Sequence, residues 1–177
     1  MLWFRNCDPA YAFLWESPDQ PAGRWHGVGQ GPVHYLADTP AGAWAELLRH
    51  EAITDAEDLA DVARAMWVVR VPDVDVADAH RVRLARTVST GGLDTYGRCQ
   101  AYAGRQRTAG AKALLAPSTA LSQGAAGGHH TDGGLRPGPA ADGRVLVLIG
   151  ARPDLMAWAV VTAGAPPADV LPVVRHL

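Results

Sequence analysis

The apolar residues of this chain fall into short runs separated by glycine and proline, which limits the folds open to it. The longest runs, residues 145–149 and 155–162, are far shorter than the ~20 residues that a membrane-spanning helix needs. Short apolar runs bounded by turn residues are typical of buried strands. Nineteen glycines and 13 prolines among 177 residues supply those boundaries. The pattern predicts an α+β fold, a single compact domain with short mixed strands and flanking helices.

Composition excludes several classes of protein. Hydrophobic residues make up 48% of the chain and charged residues 19%, which indicates a globular protein rather than a disordered one. The net charge of -2 argues against a nucleic-acid binder held by phosphate attraction. There is no CxxC motif for a metal site. The N-terminus has no charged leader followed by an apolar core. We therefore predict a cytoplasmic protein of one domain, residues 1–177, with no membrane or nucleic-acid contact.

Strands and helices are predicted to follow one another along the chain. Thr39 and Pro40 mark a helix start, because a capping hydroxyl followed by proline favours the first helical turn. Trp44, Leu47 and Leu48 then share one face, as core residues do. In chain order the sequence predicts a strand at 2–5, a hairpin over 22–37 with arms 23–25 and 33–37, helices at 41–51 and 55–65, a strand at 66–71, a helix at 94–108, strands at 113–116 and 144–150, a short helical stretch near Leu155, and a tail that adds one strand.

Two glycine-rich segments need separate interpretation. Gly27, Gly29 and Gly31 resemble a phosphate-binding loop, but such a loop lies between a strand and a helix, and here strand-like arms flank it. Residues 123–143 form a long loop that holds His129 and His130. Loops of this length are either functional or mobile. The two histidines are open to three interpretations: metal ligands, proton carriers, or solvated side chains.

Arg24, Tyr35 and Glu46 are the candidate catalytic residues. They lie on two predicted arms and the following helix, which a compact fold can bring to one cleft. An arginine fork suits a pyrophosphate, and a tyrosine ring gives a flat surface for nicotinamide or a base. A carboxylate stabilises an oxocarbenium-like transition state. The alternatives are a surface ion pair for the arginine, a half-buried strand position for the tyrosine, and a solvated helix position for the glutamate.

Residues 23–50, GRWHGVGQGPVHYLADTPAGAWAELLRH, resemble the start of the RES domain family. The family pattern is GRW, a glycine-containing loop, Tyr-Leu-Ala, and a helix that carries a glutamate. The resemblance is best over residues 5–121 and returns at 144–149. It implies that Arg24, Glu46 and Ser118 are the arginine, glutamate and serine for which the family is named. It also implies that Arg5 matches an early family arginine, so Arg5, Arg24, Tyr35 and Ser118 are predicted to bind substrate.

The resemblance implies an activity and partners. The family is similar in fold to ADP-ribosyltransferases, and its members act on NAD. It therefore predicts an enzyme that cleaves the nicotinamide–ribose bond, an NAD glycohydrolase or phosphorylase, with NAD as substrate and no cofactor. Two alternatives stay open: a protein ADP-ribosyltransferase, and a non-catalytic nucleotide- or partner-binding domain. Family members are often toxins held by an Xre-type antitoxin protein, so the resemblance implies such a partner and admits a homodimer.

Overall fold

A computed structural model describes residues 1–176 and confirms the α+β prediction. Seven strands form one mixed sheet in the order β4-β5-β8-β2-β1-β3-β9. Only the β4–β5 pair among these is parallel. The strands are β1 (Leu2–Cys7), β2 (Val33–Ala37), β3 (Arg64–Arg70), β4 (His80–Arg81), β5 (Ala113–Pro117), β6 (His129–Thr131), β7 (Leu135–Pro137), β8 (Arg144–Ile149) and β9 (Met156–Gly164). The α-helices are α1 (Pro40–His50), α2 (Asp73–Ala77), α3 (Arg86–Ser89) and α4 (Tyr96–Thr108), and three 3₁₀ helices cover Glu57–Asp61, Leu93–Thr95 and Ala168–Val173.

Helix α1 begins where the sequence predicts. The Thr39 hydroxyl accepts a hydrogen bond from the backbone N–H of Gly42 at 3.0 Å, which satisfies a donor that the first helical turn leaves free. Pro40 takes the first helical position. Trp44, Leu47 and Leu48 are all buried, so the predicted core face is confirmed. The helix packs against β1, β2 and the 3₁₀ helix at Ala168–Val173.

The two faces of the sheet carry different side chains, because neighbouring residues of a strand point to opposite sides. On β1, Phe4 packs with the α1 core, and the Asn6 amide donates to the carbonyl of Ala43 in α1 at 2.6 Å. Trp3 lies on the other face and packs with Leu36 of β2. The face toward α1 is therefore the one that also presents Tyr35, which precedes Leu36 by one residue.

The predicted hairpin over 22–37 is wrong in its first arm. Gly23 and His26 pair with each other in a tight turn, with the Gly23 N–H donating to the His26 carbonyl at 3.0 Å. The second arm is β2, which pairs with β1 and β8 instead. Both hydrogen-bonding edges of β2 are thus occupied by strands from distant parts of the chain.

Four further predictions need correction. The expected helical stretch near Leu155 is the nine-residue strand β9, and the tail contains a 3₁₀ helix rather than a strand. The loop at 123–143 contains a small hairpin of β6 and β7. The helix expected at 55–65 shortens to a five-residue 3₁₀ helix. Within residues 1–176, none of the helices has the length and apolarity to cross a membrane.

Candidate active site

Arg24 lies in the tight turn between Gly23 and His26 and is buried. Its Nη1 donates to the Thr95 hydroxyl at 2.9 Å and to the Val88 carbonyl at 3.4 Å, and its Nη2 donates to the Gly91 carbonyl at 2.6 Å. Its guanidinium also stacks over the Tyr96 ring at 4.5 Å. A guanidinium has five N–H donors, so protein contacts fix its orientation while leaving donors for a ligand.

Tyr35, on β2, holds the turn that carries Arg24. Its hydroxyl accepts a hydrogen bond from the Trp25 backbone N–H at 3.0 Å and lies 2.9 Å from Nδ1 of His26. Burial raises the pKa of Tyr35 above its ordinary value, so the hydroxyl stays protonated and can donate to His26. His26 and His34, which flank the loop of glycines at 27–31, are both buried.

Glu46, on α1, receives two hydroxyl hydrogen bonds. Ser118 donates to its Oε1 at 3.3 Å, and Thr119 lies 3.4 Å from the same oxygen. Burial raises the pKa of Glu46 above its ordinary value, while the Ser118 hydrogen bond and then the charge of Arg49 oppose that rise. The carboxyl is therefore partly desolvated, and these groups stabilise its charged form.

Ser118 reaches Glu46 from the segment that follows β5. Its buried hydroxyl also accepts a hydrogen bond from the backbone N–H of Leu121 at 3.0 Å. The Ser118 side chain therefore both stabilises the turn after β5 and contacts the carboxylate. The Ser118 carbonyl accepts a hydrogen bond from Arg175 near the end of the chain. The structure thus brings Ser118 to Glu46.

Two adjoining cavities meet at Tyr35 and Glu46. One, of about 330 Å³, runs along β1 and α1 and is bordered by Asn6 and Arg64. The other, of about 440 Å³, extends toward Arg24, Arg49 and Tyr96. Tyr35, Glu46, His50 and Val145 line both cavities. The predicted catalytic trio therefore lies along one extended cleft.

Arg49 is a site residue that the sequence reasoning missed. It follows Glu46 by three positions on α1, a spacing that places two side chains on the same side of a helix. That spacing could have identified it from the sequence. Burial, and next the charge of Arg24, lower the pKa of Arg49 from its ordinary value. Tyr96 and Thr119 also line the cleft without having been predicted.

Arg5 borders the smaller cavity, but its side chain is on the other face of the sheet. Arg5 lies between Phe4 and Asn6 on β1, and the side chains of those two residues face α1. Neighbouring residues of a strand point to opposite sides, so the Arg5 side chain points away from α1. Burial lowers the pKa of His34 from its ordinary value. The charge of Glu16 opposes that shift, and the charge of Arg5 adds to it. The Arg5 Nε is buried without a hydrogen-bond partner. The structure does not bring the Arg5 guanidinium together with Arg24, as a shared phosphate contact would require.

His129 and His130 are exposed on the β6–β7 hairpin. His129 borders a separate cavity of about 550 Å³ between the start of α1 and the glycine-rich segment. Across residues 1–176, no group of three or more histidine, cysteine or acidic side chains is arranged to hold a metal ion. The two histidines therefore lie outside the cleft that contains Glu46.

A mixed sheet, packed against a helix that carries a partly buried carboxylate near two arginines, defines an α+β protein with a cleft suited to an anionic ligand. The RES domain family matches residues 3–131, and the chain belongs to this family, as the sequence resemblance predicts. A probable NAD(+) phosphorylase of Mycobacterium tuberculosis is 37% identical over 108 residues. The alignment covers 59% of this chain and 51% of that relative, so it spans about half of the relative's length.

Proposed function

We propose that this protein is an NAD phosphorylase that transfers the ADP-ribosyl group of NAD to inorganic phosphate. The observation that carries the proposal is the position of Glu46, a partly buried carboxylate at the junction of two cavities. Tyr35 lines both of these cavities, and Arg24 lines the larger one. Membership of the RES family and the printed name of the aligned relative support NAD as the substrate. The cleft therefore combines a negative charge with cationic and aromatic groups along its length.

The reaction breaks the bond between ribose C1′ and the nicotinamide nitrogen. The bonding electron pair passes to the pyridinium ring, which leaves as neutral nicotinamide, so no strong general acid is needed. The developing positive charge on the ribose is stabilised by the Glu46 carboxylate, as preorganised charges stabilise transition states. A phosphate oxygen then forms the new bond to C1′, and the products are nicotinamide and ADP-ribose 1-phosphate.

Ser118 and Thr119 have a positioning role in this scheme. Their hydroxyls donate to the Glu46 carboxylate, which favours its charged form and fixes its direction. Tyr35 keeps the Arg24 turn in place through its hydroxyl, and its ring borders the cleft. The Arg24 guanidinium is assigned to the pyrophosphate of NAD, because its remaining donors match phosphate oxygens.

Product analysis tests the proposal. Purified protein is incubated with NAD in the presence and absence of phosphate, and the products are separated by chromatography and mass. Phosphate-dependent release of nicotinamide together with ADP-ribose 1-phosphate is the expected result. ADP-ribose formed equally without phosphate would replace the proposal with a glycohydrolase, and ADP-ribose attached to protein would replace it with a transferase. Binding of NAD without turnover would identify a non-catalytic domain.

The toxin role, the Xre-type antitoxin partner and the homodimer stay predictions from the family resemblance. Two measurements test the toxin role and the oligomeric state. Growth arrest on induced expression, relieved by the Glu46→Gln variant, tests toxicity. Light scattering of the purified protein gives its oligomeric state.

A further inference from the structure

Two arginine side chains of the cleft converge on one backbone oxygen. Nη2 of Arg24 donates to the Gly91 carbonyl at 2.6 Å, and Nη2 of Arg49 donates to the same oxygen at 3.1 Å. A carbonyl oxygen carries only a partial negative charge, so it orients the two guanidinium groups without neutralising them. Both side chains also line the 440 Å³ cavity.

The charges around this cavity are out of balance. Among the described residues that line it, Glu46 is acidic, whereas Arg24 and Arg49 are both cationic. The charge of Arg24 acts against that of Arg49, and Glu46 compensates for this in part. Two like charges held together in a partly buried space favour an anion between them. An anionic ligand would restore the balance.

Among residues 1–176, a pair of Arg49 donors has no protein partner and is available for such a ligand. Its Nη1 donates to the carbonyls of Arg175 and His176, and one hydrogen of its Nη2 is used by Gly91. Within the part of the chain that the structure describes, the Nε hydrogen and the second Nη2 hydrogen have no protein acceptor. An arginine binds two oxygens of a phosphate with a pair of donors like these. The carbonyl contacts hold the guanidinium in one orientation, which lowers the entropic cost of binding.

The position of Arg49 suggests which phosphate it takes. Arg49 acts more strongly than Arg24 on the charge of Glu46, and it lies one helical turn from Glu46 on α1. Under the proposed function, Glu46 faces the ribose carbon that is attacked. A phosphate held by Arg49 would therefore lie near that carbon, whereas Arg24 is left for the pyrophosphate of NAD.

We propose that Arg49 binds the inorganic phosphate that attacks NAD, and so determines that phosphate rather than water accepts the ADP-ribosyl group. This inference rests on the proposed function. The same chemistry would suit the pyrophosphate of NAD, and separate measurements with the two ligands distinguish these sources.

The main test compares Arg49→Gln with the wild type. KM is measured for phosphate at saturating NAD and for NAD at saturating phosphate. We expect the KM for phosphate to rise about 10- to 100-fold, the range for losing a charge-assisted hydrogen bond, while the KM for NAD changes less than about twofold. Arg98→Gln, which removes an exposed arginine of α4, is the matched control and should change neither value.

Arg49→Lys addresses the structural role of the arginine. It keeps the positive charge but loses the fork, so the KM for phosphate should rise less than in Arg49→Gln. If Arg49→Gln fails to fold, Arg49→Lys carries the test by its KM for phosphate. A rise in the KM for NAD alone would overturn the proposal in favour of a pyrophosphate contact. Unchanged KM values in a folded Arg49 variant would overturn it in favour of a purely structural role.

A binding measurement separates this inference from the proposed function. The Tm of each protein is recorded with sodium phosphate and with sodium chloride at equal ionic strength, because a ligand that binds the folded state raises Tm. A phosphate-specific rise in the wild type that is lost in Arg49→Gln supports the site even if NAD is not turned over. No phosphate-specific rise in the wild type, together with phosphate-independent turnover, would overturn both proposals.

Discussion

The hydroxyl oxygen of Tyr35 lies 2.9 Å from Nδ1 of His26. His26 closes the tight turn that begins at Gly23 and contains Arg24 and Trp25. The same hydroxyl accepts the Trp25 N–H. The sequence predicts that the Tyr35 ring is a stacking surface. In the structure the hydroxyl of the same side chain also supports the turn that carries Arg24.

Replacing Tyr35 with phenylalanine should destabilise the protein. The variant leaves the Trp25 N–H without its acceptor, and an unsatisfied buried donor costs about 1–3 kcal/mol. For a chain of this size that corresponds to a fall in Tm of roughly 2–12 °C. Thermal unfolding by circular dichroism measures it. Tyr11→Phe, which changes an exposed tyrosine, should leave Tm unchanged, and an equal Tm for Tyr35→Phe would show that the hydroxyl does not support the turn.

Replacing Glu46 with glutamine should lower the rate of NAD turnover by roughly 10²–10³, the scale of losing one preorganised electrostatic contact. The amide oxygen can still accept the hydroxyl hydrogen bonds of Ser118 and Thr119, so the fold should survive. Steady-state release of nicotinamide gives the rate. Glu51→Gln, at the exposed end of α1, is the control, and normal turnover by folded Glu46→Gln would remove Glu46 from the mechanism.

The Glu46→Gln variant should also be more stable than the wild type near neutral pH. Because burial raises the pKa of Glu46 in the folded protein, the folded state holds its proton more tightly than the unfolded state does. Ionisation of Glu46 therefore costs stability as the pH rises above its ordinary pKa of 4.5. The Tm difference between variant and wild type should grow as the pH rises above 4.5 and should vanish below that pH. A constant difference over this range would contradict the assignment.

Replacing Ser118 with alanine should shift the pH profile of NAD turnover. The Ser118 hydrogen bond lowers the pKa of Glu46, so its loss raises that pKa further. Activity that needs the ionised carboxylate should then be lost at a higher pH than in the wild type. The acid limb of kcat/KM against pH measures the shift. Ser122→Ala is the control from the same segment, and coincident acid limbs for Ser118→Ala and wild type would exclude this role.

Replacing Arg24 with lysine should weaken NAD binding and also lower Tm. An ammonium group cannot make the separate contacts that Nη1 and Nη2 make with Thr95 and Gly91, and it loses the fork for phosphate. Calorimetric titration with NAD and thermal unfolding give the two effects. Equal NAD affinity in the folded variant would count against a bidentate contact with the pyrophosphate.

The sequence predicts elements well where the signal is local. The cap at Thr39 and the apolar runs of β5 and β8 are examples, because capping and hydrophobic patterning act within a few residues. The sequence predicts a helical stretch near Leu155, where β9 begins one residue later, because a short apolar run does not distinguish a helix from a strand. The sequence predicts a first hairpin arm at 23–25 because neighbouring strand-like segments favour pairing with each other. In the structure the partners of β2 are β1 and β8.

The site residues likewise divide into those that local sequence signals predict and those that depend on distant parts of the chain. Spacing and family resemblance predict Arg24, Tyr35, Glu46 and Ser118 as site residues. The structure places Arg24, Tyr35 and Glu46 along one cleft, and Ser118 contacts Glu46 there. The meeting of Arg24 and Arg49 at Gly91 depends on a segment more than 40 residues beyond either side chain, which no local pattern encodes. The position of Arg5 on the far face follows from the alternation of β1, once Asn6 is known to face α1.

Strand β8 has a consequence for how this protein can be divided. It lies outside the residues that match the family, yet it is hydrogen-bonded between β5 and β2, with Tyr35 opposite Val147. A fragment that ended with the matched residues would separate the edge of the sheet that holds β5 from the part that holds β1 and β2. Such a fragment would leave the edges of β5 and β2 unpaired and would lack the buried side chains of residues 145–148, and we expect it to be insoluble. Expression fragments should therefore extend beyond the family match.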